Sequence, residues 1–335
     1  MDDLDARGNS SPLIRFNSSD RFLSPSQSGS EAEFPPSVRW PDTNMPPIYS
    51  PMQRPELDHV ISAPGSTTHA LGAFSKKLRE LRARGHRFRM WWRDDDAHCD
   101  SLKLRRLLKA AQGTPIALAV VPGLMDSTLP GVIDGVRGTH VLQHGWMHTN
   151  WSRVKANPSE YPQWRPVSEV KTELRKGRDL LEARFGNAFL PVFVPPWHGC
   201  SPWLLRSLPA LGYLAVSQDA ALSARLIRHS TLDVNIEIDA SDWKSGGAFI
   251  GVEALTRKIL RAFNFRARWN LESPVGLLTH HAFLAPEDFD HLRDCVCALA
   301  ESENVQWMSC MDVIGEIGSR EYIRFRRNSS YYRVP

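Results

Sequence analysis

The chain has few cysteines, no long apolar run and no block of basic residues. Its five cysteines, at 99, 200, 295, 297 and 310, are odd in number and scattered, so they build no disulfide framework. On that count the default compartment is a reducing cytoplasm. No stretch approaches the roughly 18–20 consecutive apolar residues of a membrane span. The first residues, Met1-Asp2-Asp3-Leu4-Asp5, are acidic and lack an apolar segment, which argues against a secretory signal. Basic residues do not interleave with aromatics in the body of the chain, so nucleic-acid binding has little support. Net charge is only +4, unevenly spread: residues 1–70 carry net −4 and the remainder +8, a surplus that favours anionic substrates.

What is present has the proportions of a globular protein, with 42% hydrophobic and 23% charged residues in 335. Residues 1–70 hold 12 Ser and 10 Pro without a sustained apolar period, and are expected to form a disordered tail. Residues 319–335 read as a short basic tail. Between them, 71–318 alternate. Apolar runs at 88–93, 116–121, 139–143, 189–194, 213–217, 233–238, 275–279 and 305–308 are separated mostly by helical segments at 101–111, 168–185, 201–211, 251–263 and 286–301. Ser168 is expected to cap the second helix and Gly186 to stop it. Such alternation predicts parallel strands with helical crossovers, in a barrel or an open doubly wound sheet, with chemistry at the strand C-terminal ends.

Polar clusters fall at five such ends. Asp94-Asp95-Asp96 closes the run Phe88-Arg89-Met90-Trp91-Trp92. Carboxylates so crowded resist joint ionisation unless a cation is near, so the run reads as a metal site, a proton-transfer site or a helix N-cap before Leu102. Two histidines four apart, His144 and His148, are able to ligate one ion; with a carboxylate they leave positions open, as catalytic metals require. Pro195-Pro196-Trp197-His198-Gly199 forms a rigid loop whose backbone N–H groups are candidates to face an oxyanion. Asp239-Ala240-Ser241-Asp242-Trp243 and Leu277-Leu278-Thr279-His280-His281 complete the set, the latter offering a His as general acid.

In their order these five clusters resemble the motifs of the polysaccharide deacetylase family, also called the NodB homology or carbohydrate esterase 4 family, over residues 86–315. The resemblance implies a distorted (β/α) barrel of about seven parallel strands. It makes Asp95 the base and Asp96, His144 and His148 the ligands of a divalent metal, Zn²⁺ first, with Co²⁺, Mn²⁺ or Ni²⁺ as alternatives. Pro196 and Trp197 match the oxyanion motif. Asp242 and Trp243 match the motif that builds a groove wall and positions the acid, and Leu278 and His280 match the last, with His280 the acid. The implied reaction is removal of acetyl from an N-acetylated or O-acetylated sugar or a small amide. Two positions depart from the pattern. The Arg that usually pairs with the base falls at Val194, leaving Arg93 as its replacement, and the Asp that usually follows the acid is His281. The missing Arg motivates a second reading, a carbohydrate-binding member without turnover. A third, a cysteine hydrolase using Cys200 with His198, lacks a nucleophile elbow.

Overall fold

The computed structural model describes residues 64–154, 157–223 and 231–329. The strands are β1 (Phe88–Ala97), β2 (Ile116–Val120), β3 (Thr139–His144), β4 (Phe189–Val194), β5 (Ala215–Val216), β6 (Leu232–Asp233), β7 (Ile238–Asp239), β8 (Ser241–Asp242), β9 (Ala248–Phe249), β10 (Val275–Thr279) and β11 (Val305–Trp307). The helices are α1 (Pro64–Ala83), α2 (Leu102–Ala110), α3 (Leu129–Ile133), α4 (Val167–Phe185), α5 (Pro202–Ser207), α6 (Ala220–Ser223), α7 (Val252–Trp269), α8 (Asp288–Ala300) and α9 (Cys310–Ser329). One parallel sheet runs β6-β5-β4-β3-β2-β1-β10-β7, with β11 beside the start of β1; β8 and β9 form a separate antiparallel pair.

The two ends of that sheet are one piece of chain. Residues 232–240 pair first with β5, through Leu232, Asp233 and Val234. After Ile236 they change partner and pair with β10, through Glu237, Ile238 and Asp239. Counting β6 and β7 as one bent strand, seven parallel strands close into the expected distorted (β/α) barrel. The change of partner explains why the runs at 213–217 and 233–238 yield only short ladders.

Strand alternation sorts side chains into two layers. One parity fills the barrel: Trp91, Ala117, Ala119, Leu142, Val192, Val194, Ala215, Ile236 and Leu278. The other packs outward under α1, α2, α7 and α8, through Met90, Trp92, Leu118, Val141, Val275 and Leu277. Gly186, at φ 49°, terminates α4 as expected, but the cap residue is Pro166 and not Ser168, whose carbonyl instead accepts from Thr172. Both tail boundaries move. Residues 64–70 belong to α1, whose Phe74 and Leu78 are buried, and 319–329 continue α9; residues 1–63 and 330–335 lie outside the described residues. Among the described residues no helix is long and apolar enough to cross a membrane. The five cysteines are free thiols.

Candidate active site

The Asp run does not cap a helix; Ser101 does, its Oγ accepting from Leu104 N at 3.0 Å. The pleat divides the run. Arg93 and Asp95 share the inward parity, whereas Asp94 points outward, where its carboxylate accepts from Thr279 Oγ1 (2.6 Å), His281 N (3.0 Å) and His281 Nδ1 (2.5 Å). Simple alternation would send Asp96 outward too. A register shift between Asp94 and Ala97, with Asp96 at φ 73°, turns it back to the inner side. Two consecutive carboxylates are thereby brought to the inner side of the strand.

Asp96 Oδ1 lies 3.3 Å from both His144 Nε2 and His148 Nε2. The three side chains are buried, and their candidate ligand atoms lie within 4.8 Å of one another. His144 donates from Nδ1 to Val194 O at 3.0 Å, which orients the ring with Nε2 toward Asp96. Burial would lower the His144 pKa, but the Asp95 and Asp96 carboxylates outweigh it and hold it above the ordinary value. His148 is held at φ 52° and its ring packs on Trp197, itself at φ 53°. Burial tends to raise the Asp96 pKa, but His144 and His148 outweigh it and hold the carboxyl far below its usual range. Burial lowers His148 to about 4, which favours the neutral, ligating imidazole. Two imidazoles and one carboxylate, convergent and already desolvated, fit a divalent cation.

Asp95 meets Arg93 in a two-pronged ion pair, Nε to Oδ1 at 2.8 Å and Nη2 to Oδ2 at 3.0 Å, both side chains buried. Arg93 is itself fixed by Ser217, through its carbonyl (3.0 Å) and hydroxyl (2.5 Å) at the end of β5. The burial that would raise the Asp95 pKa is outweighed, chiefly by Arg93, and the carboxyl is held below its ordinary value. The charge missing at Val194 is thus delivered from two residues upstream on the same strand, while Val194 is core.

The opposite wall is His280, whose Nδ1 is 3.2 Å from Ser241 Oγ. Trp243 stands edge-on to it at 4.7 Å and is half-exposed, its Nε1 donating to Asp239 Oδ2. Asp242 does not take the positioning role expected of it. Its carboxylate accepts from Lys244 N and Ser245 Oγ, closing a turn, and Ser241 is the residue that meets His280. Leu278 is wholly buried beside Arg93 in the sheet, and Pro196 packs below the His144 turn. His198 is lowered to about 3 by burial and by Arg93. Burial pushes the Cys200 thiol up to about 12, which removes the thiolate a cysteine hydrolase needs.

One residue that sequence reasoning missed is Glu160. It is buried, and its oxygens accept from Trp146 N (3.2 Å) and Met147 N (2.7 Å), pinning the turn between the two histidines. Gly145, at φ 59°, makes room: a Cβ there would collide with Glu160 and Pro196. Burial raises Glu160 to about 7. Only that glycine hinted at a partner, and nothing in sequence told which one.

No protein-family model matches the chain, and no curated protein does. Among solved structures it is similar to a Mycobacterium smegmatis protein described as a polysaccharide deacetylase (18% identity, 66% of this chain and 78% of that one, TM-score 0.49). It is also similar to a family 4 carbohydrate esterase from Streptomyces lividans with acetate (13%, 66% and 91%, 0.44). A third is a family 4 acetyl xylan esterase from Clostridium thermocellum with a cobalt ion (13%, 68% and 90%, 0.46). At such identities the chemistry of this chain has to be read from its own residues.

Proposed function

We propose that the protein is a metal-dependent deacetylase acting on an N-acetylated sugar, or on an O-acetylated or small-amide equivalent. The observation that carries this reading is a buried Asp96–His144–His148 cluster beside an arginine-paired carboxylate, Asp95. A divalent cation held by the cluster, Zn²⁺ first, would supply Lewis acidity toward the acetyl carbonyl and lower the pKa of an adjacent water. Asp95, kept ionised by Arg93, takes the proton of the attacking water. The Trp197 backbone N–H serves as an oxyanion donor, with Pro196 fixing the loop. His280, with Nδ1 engaged by Ser241, uses Nε2 to protonate the departing amine, giving acetate and a free amine. Trp243 forms a wall for the sugar.

The Arg93–Asp95 pair supports turnover over a binding-only protein, because Arg93 supplies the charge that Val194 does not. A cytoplasmic site of action, expected from the cysteines, suits an oligosaccharide or a nucleotide- or lipid-linked sugar. The test is metal content and acetate release from N-acetylated oligosaccharides and small amides. Asp96→Ala and His148→Ala should lose both. A metal-loaded wild type inert toward the whole panel overturns the proposal.

A further inference from the structure

We propose that the loop between β3 and α4 carries a subsite for a carboxylate-bearing sugar, built from Trp151, Trp164 and Arg153. It rests on the deacetylase reading and adds the substrate class: a glycan with an acidic unit near the acetylated one.

Trp151 and Trp164 are each 44% exposed, with ring centroids 6.1 Å apart at 71°. Each indole has a guanidinium over its ring, Arg165 at 4.8 Å from Trp151 and Arg153 at 4.7 Å from Trp164. The two arginines differ in what neutralises them. Arg165 is buried and bound through two N–H groups to Glu173, at 2.9 and 2.7 Å. Arg153 is exposed, and among the described residues it has no carboxylate partner. A guanidinium lying on an indole keeps its N–H edge free in the ring plane, the geometry that takes a carboxylate by two parallel hydrogen bonds. The exposed indole surface beside it suits the C–H face of a pyranose.

The segment at 150–152 is tied to Ser159 in advance. Asn150 Oδ1 accepts from both Ser152 N and Ser159 N, Trp151 N donates to Ser159 O, and Ser159 Oγ donates to Gly199 O beside Trp197. Ordering before binding removes part of its entropic cost. The loop also lies on the right face. It follows the C-terminal end of β3, where the barrel mouth is built. Trp151 is three residues from His148, so their Cα atoms are at most about 11 Å apart. Trp243 flanks His280 on the other side, so an extended ligand over Asp95 would meet an indole at each end. Aromatic–arginine pairs also bind single-stranded nucleic acid, but that mode needs a basic groove tracking a backbone, and the deacetylase site in the same mouth favours a glycan.

The test measures binding to metal-stripped protein, so that it stands apart from turnover and from the failure of the deacetylase reading. The probes are a chito-oligosaccharide, an oligosaccharide alternating N-acetylglucosamine with glucuronate, and a single-stranded oligonucleotide, followed by tryptophan fluorescence and calorimetry. The glucuronate probe should bind about tenfold or more tighter than the neutral one, as a charge-assisted pair implies. Arg153→Gln, an exposed change, should abolish that preference, and Trp164→Ala should weaken both glycans. Equal affinities, a preference that survives Arg153→Gln, no binding of the glucuronate probe, or tighter binding of the oligonucleotide would each overturn the proposal.

Discussion

Arg93 and Asp95 are two residues apart on one strand, and the pleat is what makes them a pair. Both are buried, so removing the cation leaves an unpaired carboxylate in a dry interior, a loss of about 3–5 kcal/mol. The sign follows from the depressed pKa. Asp95 contributes stability above its ordinary carboxylate value, and that contribution is lost as pH falls toward the folded value. Arg93→Met should therefore lower denaturation stability at pH 7 by about that amount, with the deficit shrinking in acid. Its acid limb of activity should move to higher pH; an unchanged limb would refute the pairing as the source of tuning. Asp94, adjacent in sequence, belongs to another layer and braces His281. Which of three aspartates does what was not legible from the run, because the bulge at Asp96 breaks the alternation that reading relies on.

At the scale of elements, the strand that changes partner is the least conventional part of the fold. Where it crosses from β5 to β10, Gly276 leaves no room: a Cβ would come within 2.5 Å of Asn235 O, 2.7 Å of Ile236 Cα and 2.8 Å of Trp91 Nε1. Two of those contacts are backbone and cannot swing aside. Gly276→Ala should cost about 1–3 kcal/mol by forced overpacking, read from a denaturant midpoint; a neutral result would mean that the seam is loose. The strands β1 to β4 and β10 were visible in sequence because both faces are buried and each contains a short apolar run. The seam was not, since a strand shared between two neighbours leaves the same apolar pattern as two short ones. Helix α1 was hidden by the Ser- and Pro-rich composition around it, and α9 was read only as a basic tail.

For the molecule as a whole, the cluster draws on β1, which gives Asp96, and on β3 and the turn after it, which give His144 and His148. A cation there would stabilise the folded barrel alone, by about 2.7 kcal/mol at a hundredfold excess over its dissociation constant. Stripping metal with a chelator should lower the thermal midpoint, and Zn²⁺ should restore it; the same treatment should leave Asp96→Ala unchanged. A wild type indifferent to both would count against the site. The order of motifs along the chain predicted this convergence well, because each motif closes a strand and every parallel strand ends on the same face. What they omitted was the support behind the face: Glu160 and Ser217 lie outside every motif, and Ser241 lies within the fourth cluster but without a role until its contact with His280 is seen.

The stretch Arg93-Asp94-Asp95-Asp96 puts the counter-ion, the brace, the proposed base and a proposed metal ligand into four adjacent codons. Functions that a barrel ordinarily scatters over several loops are here inherited together, and one short deletion would erase them all. That linkage gives kin of this chain a recognisable mark: an arginine two places before the base should travel with an apolar residue at the position of Val194. Sequences that keep one and lose the other should be rare, since either half alone leaves the base with two counter-ions or with none.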